Sequence, residues 1–492
     1  MAKALNVLFL SSEVYPFSKE SGLGDVAFSL PLALRELGND IRVMSPKYGN
    51  ISERKNKIHE INRLKNVPIK VGDVEELATI KSSSINNPRS KVQAYITTNF
   101  TYFDSRKGVY NDPKTWEEYP DNAERFLFYC KSVLETCMVL GWFPDIIHCN
   151  DWHSALVPIY IKTIYAKQFK KTKVVYTVHN FKHQGIFPLS VLKLMEFPEE
   201  VFKHLTHKKQ VNFLKGGLVF ADYITTVSKT YANDVMKSKT MANGLEPFIK
   251  EKGENFKGIM NKIDPYVWNA EKDPMIKAKY DGDYLDYKYH NKVALINKFG
   301  LEYSPSTPLI AMVTNITENK GINLLIEQAD KIFAEDIQFV LLGQGEPALK
   351  EKLMKISNKY PEKLKCIFEL NDELTHLTEA GSDMYMLLSD YEPSGLSFMY
   401  SLVYGSVPIV YPTGGLTELV EPFDEATGEG NCLVLSEHTG TALLETIRKA
   451  VLLYRNKETW ESLARTGMNT ENSWRGTAEQ YHEIYKKLAK DA

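Results

Sequence analysis

The chain is expected to fold as α/β, with two doubly wound parallel-sheet domains in tandem. Three observations lead there. Short apolar runs of strand length alternate with segments of helical periodicity across short loops, the signature of βαβ units. That rhythm loosens around Gly258–Asp264 and the Lys/Asp-rich stretch to Asp286, then begins again. Finally, 492 residues exceed what one ordinary core can organise.

The first series opens with the apolar run Asn6–Ser11. A loop bearing Pro, Ser and Gly follows, then helical spacing from Asp25 to Leu37 that stops at Gly38, then the run Ile41–Ser45. The polar stretch Ile51–Thr98, with a turn near Ser82–Pro88, reads as a peripheral hairpin excursion. The alternation resumes with a helix over Asn122–Leu140, a strand over Asp145–Cys149, a helix over Ser154–Phe169 and a strand over Lys173–Val178. A helix over Val211–Phe220 and a strand over Tyr223–Val227 complete the series. In the second series the expected strands are Leu309–Val313, Gln338–Leu342, Lys365–Phe368, Met384–Leu388, Val407–Tyr411 and Cys432–Leu435. Between them lie helices such as Ile322–Phe333, Pro347–Asn358 and Leu396–Tyr404. Two such Rossmann-like sheets imply a cleft facing the carboxyl ends of their strands.

Composition narrows the function. With 43% hydrophobic and 25% charged residues the chain is globular, and a net charge of −2 argues against nucleic acid or a membrane surface as partner. The apolar core of the first residues, Leu5–Leu10, is too short for a secretory signal, and no other run could span a bilayer. Cys130, Cys137, Cys149, Cys366 and Cys432 show no metal-type spacing, so they read as reduced core residues of a cytoplasmic protein.

Chemistry is expected in the turns that follow strands. From Tyr391 to Gly415 a carboxylate, Glu392, opens one turn, and the glycine-freed amides of Thr413-Gly414-Gly415 open another. Such a pair can accept hydroxyl hydrogens at one end of a ligand and hold an anion at the other, as a nucleotide sugar requires. Lys19-Glu20-Ser21-Gly22-Leu23-Gly24-Asp25 lacks the GxGxxG spacing of a dinucleotide site; Lys19 could reach a phosphate, or Asp25 could simply cap the helix. His148–His153 offers Asp151 as a ligand contact or a helix cap and supplies too few ligands for zinc. His179, after Thr177-Val178, has no Ser or Cys elbow beside it, and Lys320 in Thr314–Gly321 sits at a helix start suited to an anion.

Together these markers resemble the bacterial glycogen/starch synthases of glycosyltransferase family 5. They run from Lys19–Val26 through Asp121–Phe126 (DNAERF), His148–His153, Thr177–Asn180, Gln184-Gly185, Ala221–Ser228 and Asp264 to Trp268. Asn315–Gly321, Glu392–Leu396, Thr413–Leu416, Thr427–Gly430 and Ser473-Trp474 continue the series. The resemblance implies a GT-B fold, with residues 1–260 as the glucan-acceptor domain and 265–470 as the nucleotide-sugar domain. Residues 471–492 would be a helix crossing back to the first domain. It implies transfer of glucose, with retention, from ADP-glucose (UDP-glucose being the other donor to test) to the 4-hydroxyl of an α-1,4-glucan end, without cofactor or metal. Lys19 and the Ser21, Gly22 and Leu23 backbone would face the diphosphate from one domain. Lys320, the Asn315 turn and the Thr413–Gly415 backbone would face it from the other. Glu392 would bind glucose hydroxyls, His179 would lie near the anomeric carbon, and Asp151 would stand on the acceptor side. The oligomeric state is not readable.

The chain departs from the family pattern at the phosphate positions. Asn315 and Asp390 stand where the family has Arg, Glu20 and Ser21 replace Thr and Gly, and Lys262 replaces Gly. Losing a guanidinium fork removes bidentate phosphate contacts. The alternative expectation is therefore an impaired or inactive paralogue that binds glucan or regulates a partner.

Overall fold

A computed structural model describes residues 4–490. The chain divides into two compact units, 1–262 with 474–492, and 263–473.

The first unit is built on a ten-stranded sheet. In chain order its strands are β1 (Asn6–Leu10), β2 (Asp40–Pro46), β3 (His59–Glu60), β4 (Val67–Val71), β5 (Val74–Asn86), β6 (Lys91–Thr98), β7 (Ile146–Asn150) and β8 (Lys173–Val178). A separate three-stranded sheet follows, β9 (Ile186–Phe187), β10 (Thr206–His207) and β11 (Gln210–Asn212), before β12 (Tyr223–Thr226) and β13 (Phe256–Gly258) rejoin the large sheet. The spatial order is β13-β12-β8-β7-β1-β2-β6-β5-β3, with β4 on β5. Strands β13 through β6 are mutually parallel, and β5 closes against β6 antiparallel. Chain order reverses between β1 and β7, which run in register from Val7↔Ile146 to Leu10↔Cys149. That is the switch point where a doubly wound sheet opens a ligand crevice.

The second unit carries a six-stranded parallel sheet of β14 (Leu309–Val313), β15 (Gln338–Leu342), β16 (Leu364–Ile367), β17 (Met384–Leu387), β18 (Val407–Val410) and β19 (Leu433–Val434). Its order, β16-β15-β14-β17-β18-β19, places the switch between β14 and β17. Helices bury both faces of this sheet, so its central strands are continuously apolar.

Several elements depart from expectation. The stretch 51–98 is not peripheral: β6 enters the parallel sheet beside β2, paired from Arg42↔Gln93 to Pro46↔Thr97. Ser82–Ser84 lie within β5, and the turn falls at 87–90, where Asn87 Oδ1 accepts the Arg89 and Ser90 amides. The helix expected over Ser154–Phe169 spans Leu156–Lys162, ending where the Thr163 hydroxyl bonds back to the Ile159 carbonyl at 2.7 Å. The helix expected from Val211 starts at Phe213, because Asn212 caps it through Oδ1 to the Lys215 amide. The expected helix Ile322–Phe333 is broken at Gln328. The three-residue strand β13 carries too little pattern to be read.

The segment after residue 473 belongs to the first unit. Its helix Arg475–Lys490 buries Tyr481 and Tyr485, and the Tyr485 hydroxyl lies 2.5 Å from His148 Nδ1. Among the described residues no helix is long and apolar enough to cross a membrane.

Candidate active site

In the first unit the candidate residues gather at the carboxyl ends of β1, β7 and β8. The helix after β1, Gly22–Glu36, is capped by Ser21, whose Oγ accepts the Leu23 amide at 3.2 Å. Asp25 is therefore not the cap: it lies buried in the first turn and pairs with Lys19 Nζ at 2.8 Å. Below this turn lies Glu13, which no motif had marked. Its Oε2 accepts the Glu20 and Ser21 amides at 2.6 and 2.8 Å, and its Oε1 accepts the Ser21 and Tyr110 hydroxyls at 2.9 and 2.5 Å. An internal carboxylate thus occupies two amides that an external anion would otherwise use. Of the three backbone groups expected to face a phosphate, those of Ser21 and Leu23 already have acceptors.

Glu20 does not turn its charge toward this amide nest. Its Oε1 accepts the Val109 amide at 2.7 Å, fastening the loop that carries Tyr110. Burial, with the nearby Glu13 charge added, raises its carboxyl from 4.5 to about 7. The DNAERF motif serves the same loop, since Arg125 donates to the Tyr102 and Val109 carbonyls.

After β7, Asp151 takes a positive φ of 53° and makes no side-chain cap, which corrects that reading. Its Oδ1 instead accepts the His179 amide at 2.7 Å. Burial raises the Asp151 carboxyl to about 7, against the lowering effect of the amides of His179 and Asn180. The His179 ring meets Asn150 Oδ1 through Nε2 at 2.9 Å, while Asn150 Nδ2 donates to the Leu10 carbonyl. This network assigns the proton to Nε2 and leaves Nδ1 as an acceptor. Burial holds the imidazole at about 3, neutral at physiological pH. The Trp152 and His153 rings meet at 3.9 Å with a 36° tilt, Tyr110 stacks over His153 at 4.5 Å, and among the described residues neither ring nitrogen of the buried His153 has a partner. Gly185, at φ +61°, lies so close to Trp152 that a Cβ would stand 2.6 Å from the indole.

In the second unit Lys320 and Glu392 come together across the switch point. Lys320 ends the turn after β14, Glu392 follows β17, and Nζ lies 3.0 Å from Oε2. The Gly395 amide donates to the other oxygen at 3.2 Å. The Gly415 amide donates to the Glu392 carbonyl at 3.0 Å, so it is not open to an anion. Gly414 adopts φ +53° with a would-be Cβ 2.5 Å from that same carbonyl. Asn315 contributes its backbone carbonyl to the turn through the Thr314 hydroxyl and the Thr317 amide. The exposed Asp390 accepts the Thr413 hydroxyl through its carbonyl.

Two sheets with parallel cores, each with acid, base and glycine turns at its switch point, define a two-domain α/β glycosyltransferase of the GT-B kind. The comparisons agree. Residues 6–251 match the starch synthase catalytic domain model and residues 296–467 the glycosyl transferases group 1 model. The chain is 36% identical over 490 residues to a glycogen synthase of Koribacter versatilis, covering 98% of each chain. It is 36% identical over 491 residues to one of Bacillus cereus, covering 98% of this chain and all of that one. The catalytic domain of starch synthase IV from Arabidopsis thaliana, bound to ADP and acarbose, superposes with a TM-score of 0.91 at 27% identity, over 99% of this chain and 100% of that one. The chain belongs to the glycogen/starch synthase family of glucosyltransferases that extend glucan.

Proposed function

We propose that this chain transfers glucose from ADP-glucose to the non-reducing 4-hydroxyl of an α-1,4-glucan, with retention of configuration, in the cytoplasm. The observation that carries the reading is the Lys320–Glu392 pair at the switch point of the second unit. On donor binding Glu392 would exchange the ammonium for glucose hydroxyls, and Lys320 would turn to the diphosphate as negative charge develops there. Lys19 would make the same exchange away from Asp25. His179, neutral and accepting through Nδ1, suits a contact to a sugar hydroxyl, and Asp151 suits the acceptor side. ADP and acarbose in the Arabidopsis structure support a nucleotide and a glucan as the two ligands. Unpaired cysteines, four of the five buried, fit a reducing compartment.

The test is a donor panel. Purified protein should incorporate label from ADP-glucose into glycogen; label entering only from UDP-glucose, or from neither, would overturn the donor assignment. A second reading, an impaired synthase, is favoured by one observation: both site lysines already hold carboxylates, and Asn315 and Asp390 add no cation. Asn315→Arg should then tighten ADP binding about tenfold, the worth of a charge-assisted contact. Unchanged ADP affinity would mean that the pocket balances the phosphate charge in another way.

A further inference from the structure

The first unit carries a second polar concavity at the opposite end of its sheet. A cavity of about 590 Å³ opens where β2 and β6 begin, against the last third of β5. Sheet register explains why its residues converge. Arg42 pairs with Gln93 and Gln93 with Ser84, one row across three strands, while Ser82 in the adjacent row pairs with His59 of β3. Lys57 and Lys91 complete the wall. The candidate active site lies past the other end of β2, where the Tyr48 hydroxyl donates to the Ser12 carbonyl. Seven residues of strand put about 20 Å between the two ends.

The charge balance of this cavity is uneven. Its lining holds one carboxylate, Asp40, already paired with Arg35 at 2.8 Å. Arg42, Lys57 and Lys91 have no carboxylate partner among the described residues. Arg42 is nonetheless positioned: its guanidinium lies 4.1 Å from the Trp142 ring centroid and donates to the Tyr95 hydroxyl at 2.8 Å. A guanidinium held on an indole, flanked by two ammonium groups, is arranged for a compact multivalent anion. Of the uncharged lining, Ser82, Ser84 and Gln93 supply hydroxyl and amide groups that match a hydroxylated body, whereas the Ser83 hydroxyl donates to the Asn56 carbonyl at 2.6 Å. The volume is that of a small-molecule site.

We propose that this cavity binds a phosphate monoester of a sugar, with the phosphoryl group on Arg42, Lys57 and Lys91 and the sugar hydroxyls on Ser82, Ser84 and Gln93. The site is separate from the one that would hold the nucleotide diphosphate, and the proposal does not depend on which donor the enzyme uses.

Calorimetric titration of the intact protein at fixed ionic strength tests it, using a hexose monophosphate, inorganic phosphate and glucose as probes. The hexose monophosphate should bind at least about tenfold more tightly than either fragment, and saturating ADP should leave that binding unchanged. In the double variant Lys57→Gln, Lys91→Gln the affinity should fall at least about tenfold, while ADP binding stays as in the parent. Both lysines are exposed, so the fold is not at risk. Loss of ADP binding in the parent would count against the donor-site reading alone. Displacement of the hexose monophosphate by ADP, equal binding in the double variant, or binding no tighter than phosphate itself would each overturn the proposal.

Discussion

Glu392 and Lys320 form an ion pair, and in the proposed reaction Glu392 would take glucose hydroxyls while Lys320 would take the diphosphate. Replacing either with Ala leaves the other without its partner at a partly open position. Glucose transfer should fall about a hundred- to a thousandfold, the usual loss when one stabilising group is removed, with the circular dichroism spectrum unchanged. Retained transfer in Glu392→Ala would remove this residue from the sugar site. Glu20 supports a different prediction, one of stability against pH. Its carboxyl titrates at about 7 when folded and near 4.5 otherwise. Folding therefore favours the protonated form, and the resulting stability, fully present below pH 4.5, is lost as pH rises through 7. Glu20→Gln keeps an acceptor for the Val109 amide and removes the charge. Its melting temperature, relative to the parent, should climb between pH 4.5 and 7, approaching ~3 kcal/mol of added stability at neutral pH. A constant difference across that window would show that Glu20 is not held in its neutral form.

At the scale of elements, the turns are fixed by close backbone approach. Gly414→Ala combines a left-handed backbone with a contact to the Glu392 carbonyl that no Cβ tolerates. It should cost about 1–3 kcal/mol and displace Glu392 from Lys320, so that KM for the donor rises as stability falls, read by kinetics beside thermal unfolding. The same scale shows what the sequence discloses. Lys173–Val178, Leu309–Val313 and Gln338–Leu342 were legible to the residue, because a strand buried on both faces is a near-continuous apolar run. The serines of β5 read as a turn because Ser82 and Ser84 face a polar cavity and Ser83 bonds to the Asn56 carbonyl, so no apolar alternation marks the strand there. Strand-end positions of Lys19, Asp151, His179, Lys320 and Glu392 were legible from the βα rhythm; their pairings were not. Lys320 meets Glu392 across 72 positions and Glu13 meets Tyr110 across 97, contacts that exist only once the sheet has formed.

At the scale of the whole molecule, the helix after residue 473 completes the core of the first unit. His148 is fully buried and holds Tyr485 on one ring nitrogen and Thr177 on the other, the latter at 2.6 Å. Tyr485→Phe leaves Nδ1 without a partner in the dry interior, at a cost of about 1–3 kcal/mol. A chemical denaturation midpoint equal to the parent's would show that the helix contributes packing alone. Family membership was also legible at this scale, since its markers are spread from Lys19 to Trp474 and do not depend on any single contact.

The two units are not laid end to end along the polypeptide: 263–473 is spliced into the other, and its two borders meet where the Ile263 amide donates to the Asn472 carbonyl. On the ribosome this has a consequence. The first half of the protein emerges early yet must wait for its closing tyrosines, roughly 10–40 s at ordinary elongation rates, while the inserted half is translated and free to fold. During that interval the pocket around His148 lies open, and it is there that a nascent chain would most need a chaperone.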